Sequence, residues 1–469
     1  MSELPLLGLV EVADAIAQGR TTSQAVTEAC LARIDAWQPR VNAFIRIERE
    51  EALTFARKRD RELAKGRSRG RLHGVPLAHK DLFYRKDRIS TAGSKLRRDW
   101  VAPGTATALE RLDAAGAIDL GGLNMAEFAA GPTGHNVHYG DCRNPWNPAH
   151  ITGGSSSGSG AATAARLVFG SLGSDTGGSI RMPAAACGVV GLKPTYGRVS
   201  RHNVAPRSWS LDHAGPLCRT ARDCARLLSI IAGHDPNDAT SSHAAVPDYE
   251  ATLEQPVAGL RIGIAMAALH GLDADVEAGL DSSRRELEKL GLQFVDVALP
   301  ELQKLYEAAD IIIRCEAASL HRQWIESRPQ DYANQVRMRI ESGFLIPATQ
   351  YIDALRLRAV YAREFIERTM AGIDLLHMPS LPILPPTIAE SDVERMAGAE
   401  LLASLGRFSR YARPFNLLGL PAISVPCGFG TSHLPLAFQL AARPFEEALL
   451  LRVAHAYQRS TDYHTVAPA

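Results

Sequence analysis

Two glycine-serine segments and one lysine carry the chemistry available to this chain. The first segment is Thr152-Gly153-Gly154-Ser155-Ser156-Ser157-Gly158-Ser159-Gly160; the second is Gly173-Ser174-Asp175-Thr176-Gly177-Gly178-Ser179-Ile180-Arg181. Upstream, Lys80 follows the apolar stretch Gly74-Val75-Pro76-Leu77-Ala78. A serine hydroxyl is a poor nucleophile at neutral pH and needs a base within hydrogen-bond reach. Histidine is the usual base, and a serine–lysine pair is a variant of the same logic. A lysine accepts a proton only when neutral, far below its ordinary pKa of about 10.4, and burial favours the neutral form. The apolar stretch gives the Lys80 stem a buried path, with the residue itself expected in the loop that follows.

The serine-rich segment admits other readings. A flexible linker does not need the helix-forming run from Ala161 to Val168, or the apolar stretch Leu167 to Leu172 that leads into a second glycine-serine loop. A phosphate cradle lacks its Gly-Lys-Ser/Thr, and no GxGxxG lies between a clear strand and a helix. A nucleophile elbow fits Gly154-Ser155-Ser156-Ser157-Gly158, with Ser156 central, but needs a strand just before it and an Asp and a His later. Asn144-Pro145-Trp146-Asn147-Pro148 stands there instead, and its prolines disfavour a core strand.

Read together, these motifs resemble the amidase signature family. GGSSSGSGAA, GSDTGGSIRMPAAACGVVGLKPTYGRVSR and PLAHKDLF carry the likeness, continued by LGGLNMAEFA, HYGDCRNPW, SLDHAGPLCRT and RPFNLLGLPAISVPCGF. Residues 8 to 458 are covered. The spacing of Lys80, Ser155 and Ser179 agrees with the family's pattern. The common GGSSGGSA has Ser157 and Gly160 here where Gly and Ala are frequent, with every triad position kept.

The resemblance implies that Ser179 attacks an amide carbonyl, Ser155 relays the proton and Lys80 is the base. It also implies a cis peptide bond at Gly154–Ser155. Backbone N–H groups at Thr176, Gly177, Gly178 and Ser179 would form the oxyanion hole, with Ser156, Asp175 and Arg181 in support. The fold it implies is α/β, a mixed central sheet flanked by helices on both faces, as one unit over residues 1–469. That unit has a helical N-terminal region and a core motif at about 75–215.

One competing identity within the family is the A subunit of a tRNA-dependent amidotransferase, which takes ammonia from glutamine. That site needs a cation for the carboxylate, for which Arg339 is the candidate. It also needs an acid for the α-amino group, and Ser409 stands where the acid is expected. A stand-alone hydrolase is therefore favoured over an ammonia-supplying component of a complex. Family members cleave aliphatic amides, anilides, carbamates, ureas such as biuret, and fatty acid amides. The substrate pocket is expected from Ala130, Gly131, Pro132 and Thr133, with Trp209, Phe344 and Tyr351 leaning it towards aryl amides or carbamates.

The elements that must position these residues alternate. Val26, Cys30 and Ile34 recur on one helical face behind the capping hydroxyls of Thr21-Thr22-Ser23. Strand candidates at residues 117–120, 260–265, 292–297, 373–378 and 422–425 are interleaved with helix candidates at 107–115, 276–290, 352–370 and 445–458. Residues 48–71 read as a solvated helix and loop. The polar stretch 235–256 reads as either a linker or a surface loop.

With 52 basic against 51 acidic residues among 469, no nucleic-acid partner is expected. The 7 cysteines form no CxxC pair, and reduced thiols in the cytoplasm fit them better than disulfides. No charged segment precedes an apolar run at the start, and no run is long enough for a membrane span, so neither a signal peptide nor a membrane is expected. No histidine spacing such as HExxH suggests a metal, and no cofactor is implied. A small-molecule amide or carbamate is the expected ligand, with a homodimer allowed.

Overall fold

Thr22 opens the helical N-terminal region as expected: its hydroxyl accepts the Ala25 N–H at 3.1 Å, ahead of the helix Ser23–Val41. Val26, Cys30 and Ile34 lie buried along that helix. The computed structural model describes residues 4–392, 403 and 406–469. Among them, eleven strands follow in chain order: β1 (Phe44–Ile47), β2 (Pro76–Lys80), β3 (Ile118–Leu123), β4 (Gly170–Asp175), β5 (Val190–Lys193), β6 (His213–Cys218), β7 (Arg261–Ile264), β8 (Gln293–Asp296), β9 (Leu375–Pro379), β10 (Ala422–Phe429) and β11 (Pro435–Ala441).

All eleven join one sheet in the order β1-β3-β2-β4-β6-β5-β10-β11-β9-β7-β8. The pairs β2–β3, β2–β4, β7–β8 and β7–β9 are parallel and the others antiparallel, so the sheet is mixed with helices on both faces. Among the described residues no helix is long and apolar enough to cross a membrane.

Sequence and structure part where packing overrides local pattern. The stretch Gly170-Ser171-Leu172-Gly173-Ser174-Asp175 has the composition of a loop, yet forms the fully buried strand β4 at the middle of the sheet. Small residues are needed there because the helix Ser157–Ala164 lies close against it. Ser159 donates to the Leu172 carbonyl at 3.1 Å, and a Cβ on Gly173 would sit 2.8 Å from Ser156 Oγ. Strand β2 also runs further than expected, through His79 to Lys80, so Lys80 ends a strand rather than occupying a loop. The helix expected over 352–370 spans Ala348–Glu364 and closes in a π-helical turn, Phe365–Thr369.

The polar stretch 235–256 is a packed surface loop. Tyr249 and Leu253 are buried, and Asp235 accepts the hydroxyls of Thr107 and Ser200 at 2.6 and 2.5 Å.

Candidate active site

Parallel pairing of β2 with β4 brings the C-terminal end of each strand to the same edge of the core. Lys80 is the last residue of β2, and Ser174 and Asp175 are the last two of β4. The Lys80 ammonium nitrogen donates to Ser155 Oγ at 2.7 Å and to Ser174 Oγ at 2.8 Å, and Lys80 and Ser155 are fully buried. The Gly154–Ser155 peptide bond is cis. Burial lowers Lys80 to about 7, against the opposing pull of Asp212 and Asp175. Near neutral pH the amine is thus half deprotonated, which is what a base requires.

Ser179 stands in the loop between β4 and the helix Arg181–Cys187. It is 7% exposed and lines a narrow cleft. Its carbonyl accepts the Ser156 N–H at 3.3 Å, while its hydroxyl has no hydrogen-bond partner among the described residues. Catalytic hydrogen bonds are commonly loose before substrate arrives. Ser156 points its hydroxyl to the Ser174 carbonyl at 3.2 Å.

Asp175 and Arg181 shape this loop. Burial alone would raise the Asp175 carboxyl, but the Arg181 guanidinium, followed by Lys193 and Asn416, holds it well below the usual range. Arg181 contacts Asp175 at 3.0 and 3.1 Å, and Asp175 also accepts the N–H groups of Gly178 at 2.7 Å and Ile180 at 3.1 Å.

Two residues missed by sequence reasoning complete this network. Asn416 donates to Asp175 Oδ1 and accepts from Arg181, both at 2.8 Å, and Gln439 accepts from Arg181 at 3.1 Å. Asn416 lies in the RPFN motif, so a signal was present. Gln439 sits inside an apolar strand and gave none.

The expected oxyanion set needs one correction. The Gly178 N–H is committed to Asp175, whereas those of Thr176, Gly177 and Ser179 have no hydrogen-bond partner among the described residues. Gly178 is still needed for its backbone, with φ at +120°. Thr176 is fixed by its hydroxyl, which donates to Asp212 at 2.6 Å.

The cleft at Ser179 measures about 30 Å3 and is lined by Gly131, Pro132, Thr176, Gly177, Met182 and Ile313, together with Ser409 and three arginines. Those arginines are Arg207, Arg339 and Arg413. Arg339 and Ser409, the pair weighed from sequence, share this cleft. Arg413 was not anticipated, and Arg207 was not singled out within the segment 202–209 expected to shape the pocket. Ala130 gives its carbonyl to Arg339, and Thr133 is buried with its hydroxyl 2.8 Å from His135 Nδ1.

The aromatic walls expected here are elsewhere. Trp209 is 42% exposed on a larger neighbouring cavity of about 430 Å3, which meets the cleft at Ala129 and Arg207. Phe344 lies exposed under Arg322 at 5.1 Å, and Tyr351 donates to Glu316 at 3.0 Å. Local sequence could not reveal that none of the three lines the cleft at Ser179.

A mixed sheet that brings a buried lysine and paired serines to a small cleft is the frame of an enzyme hydrolysing C–N bonds. The chain belongs to the amidase family, the amidase signature enzymes: the family model Amidase matches residues 25–451. It is 40% identical over 491 residues to the glutamyl-tRNA(Gln) amidotransferase A subunit of Chloroflexus aurantiacus, covering 100% of this chain and 99% of that one. Among solved structures it is similar to one from a vestigial protein complex tied to the origins of an s-triazine catabolic enzyme. That pair is 36% identical, with a TM-score of 0.89 and coverage of 97% and 98%. It is also similar to 6-aminohexanoate cyclic dimer hydrolase, at 28% identity, a TM-score of 0.89 and 99% coverage of both chains.

Proposed function

We propose that this chain hydrolyses a small amide through an acyl-enzyme on Ser179. The observation that carries the reading is the buried contact of Lys80 with Ser155, with Lys80 lowered to about 7. Ser179 Oγ attacks the carbonyl carbon, and its proton passes through Ser155 Oγ to Lys80 Nζ. The same chain returns that proton to the departing amine, and water then releases the acid. Unpartnered N–H groups at Thr176, Gly177 and Ser179 receive the charge that develops on the carbonyl oxygen, usually a large part of the acceleration. The preference expected for aryl amides or carbamates loses its support, because Trp209, Phe344 and Tyr351 stand away from the cleft.

The curated relatives favour a narrower second reading, in which the amide is glutamine and the chain is the A subunit of an amidotransferase with protein partners. Identity of 40% along the whole chain supports it. Ser409 weighs against it: among the described residues the cleft wall offers no acid for the α-ammonium of glutamine. Assaying the purified chain for ammonia or amine release from glutamine, short aliphatic amides, anilides and carbamates separates the two. Turnover of simple amides that is lost in Ser179→Ala supports the hydrolase; turnover of glutamine alone supports the amidotransferase component.

A further inference from the structure

The near-equality of 52 basic and 51 acidic residues hides a local surplus. Residues 57–71 hold eight basic residues against Asp60 and Glu62 alone. Neither acid is free to neutralise the rest. Asp60 accepts the N–H groups of Ser23 and Gln24 at 2.7 and 3.0 Å, at the start of the helix Ser23–Val41. Glu62 is taken by Arg59 at 3.1 Å and Arg69 at 2.6 Å, and Arg71 reaches Asp248 at 2.9 Å. Lys58, Arg61, Lys65 and Arg67 stand exposed with no carboxylate partner among the described residues.

The helix Arg49–Leu63 carries this surplus into the wall of a cavity of about 390 Å3. The segment following β2 adds Arg85, Lys86 and Arg88 to the lining. Three carboxylates line the cavity too, and all are already engaged. Arg85 holds Asp113 at 2.6 Å and Asp119 at 2.8 Å, while Arg88 contacts Asp119 at 3.3 Å and also Glu51. The ammonium groups of Lys58 and Lys86, both in the lining, have no partner among the described residues. Six cations thus stand against three engaged carboxylates, and a concave surface dominated by one sign concentrates the field that attracts an anion. Phe55, 36% exposed, adds a ring to the same lining. The cavity shares no lining residue with the cleft at Ser179 or with the cavity beside Trp209.

We propose that this cavity binds a ligand with two or more linked phosphates, held by Lys58 and Lys86 and by the arginines around them. Phosphate oxygens accept charge-assisted hydrogen bonds from both kinds of side chain. A lone carboxylate would leave most of the surplus unmatched, whereas linked phosphates spread their charge along the cavity. Its volume lies within the roughly 300–1,000 Å3 range of small-ligand sites. Two sources share this chemistry, an inorganic oligophosphate and a nucleoside di- or triphosphate. Phe55 offers a ring on which the base of the second would stack. This binding goes beyond the amide-hydrolase reading and does not rest on it.

The test titrates the full chain by calorimetry, at fixed ionic strength, with ATP, inorganic triphosphate and orthophosphate. ATP or triphosphate should bind saturably and about tenfold or more tightly than orthophosphate. Lys58→Glu/Lys86→Glu should weaken that binding by about tenfold or more. Arg61→Glu/Lys65→Glu, outside the cavity, should weaken it by no more than about threefold, because exposed charges at a distance are screened. All four side chains are exposed, so the circular dichroism spectrum should be unchanged in both variants. Phe55→Ala separates the sources: a greater loss for ATP than for triphosphate assigns a nucleotide, and equal effects assign the inorganic oligophosphate. Absence of saturable binding, no preference over orthophosphate, or equal weakening by the two charge-reversed pairs overturns the inference.

Discussion

Lys80 should make the protein less stable at neutral pH than at alkaline pH, and Lys80→Met should remove that dependence. Its pKa falls from the ordinary 10.5 to about 7 in the folded chain, with burial as the largest cause. At about 1.4 kcal/mol per tenfold change in the proton equilibrium, the difference comes to roughly 5 kcal/mol. The sign follows from proton counting. Between those two values the unfolded chain holds a proton that the folded chain has released, so stability rises with pH across that window. Below about pH 7 both states are charged at this residue, and the full cost is present. From about pH 7 to about pH 9 the wild type should gain about 2 kcal/mol relative to Lys80→Met.

The variant also loses its hydrogen bonds to Ser155 and Ser174, worth about 1 kcal/mol each. That loss does not depend on pH, so it displaces the difference curve without changing its slope. Other titrating groups are common to both proteins and cancel. The assay is urea unfolding of the two proteins followed by tryptophan fluorescence across that pH range. A stability difference that stays constant with pH would refute the claim that Lys80 is held deprotonated by burial.

The same ionisation should govern reactivity: the rate at which a fluorophosphonate modifies Ser179 should rise with pH and level off above a midpoint near 7. Asp175→Asn leaves the buried Arg181 guanidinium without its counter-charge and should cost about 3–5 kcal/mol, read by urea unfolding. Gly178→Ala forces a side chain onto a φ of +120°, with its Cβ 2.7 Å from Ala412 Cβ. It should destabilise the fold by about 1–3 kcal/mol and lower kcat/KM as the loop bearing Ser179 shifts.

The family, the fold class and the proximity of Lys80 to Ser155 were legible because motif residues and their spacing encode them. Strand β4 was not, since glycine and serine at the middle of a sheet are chosen by the helix packed on it rather than by strand propensity. Gly178 read as an oxyanion donor until Asp175 proved to hold its N–H. Arg413 was invisible, and Arg207 not singled out within its segment, for a different reason. An arginine in sequence reads as a solvated charge, and only the tertiary fold turns these two inward beside Arg339. Trp209 misled in the opposite sense, an aromatic residue in the expected loop that faces a different cavity.

Acyl-enzyme formation on Ser179 is the claim on which the rest depends. Acid-quenching the chain during turnover of a slowly hydrolysed amide or an activated ester, then mapping the added acyl mass by peptide mass spectrometry, tests it most directly. The adduct should lie on Ser179 and be absent from Ser179→Ala. An adduct on Ser156, or turnover that persists in Ser179→Ala, would contradict the account.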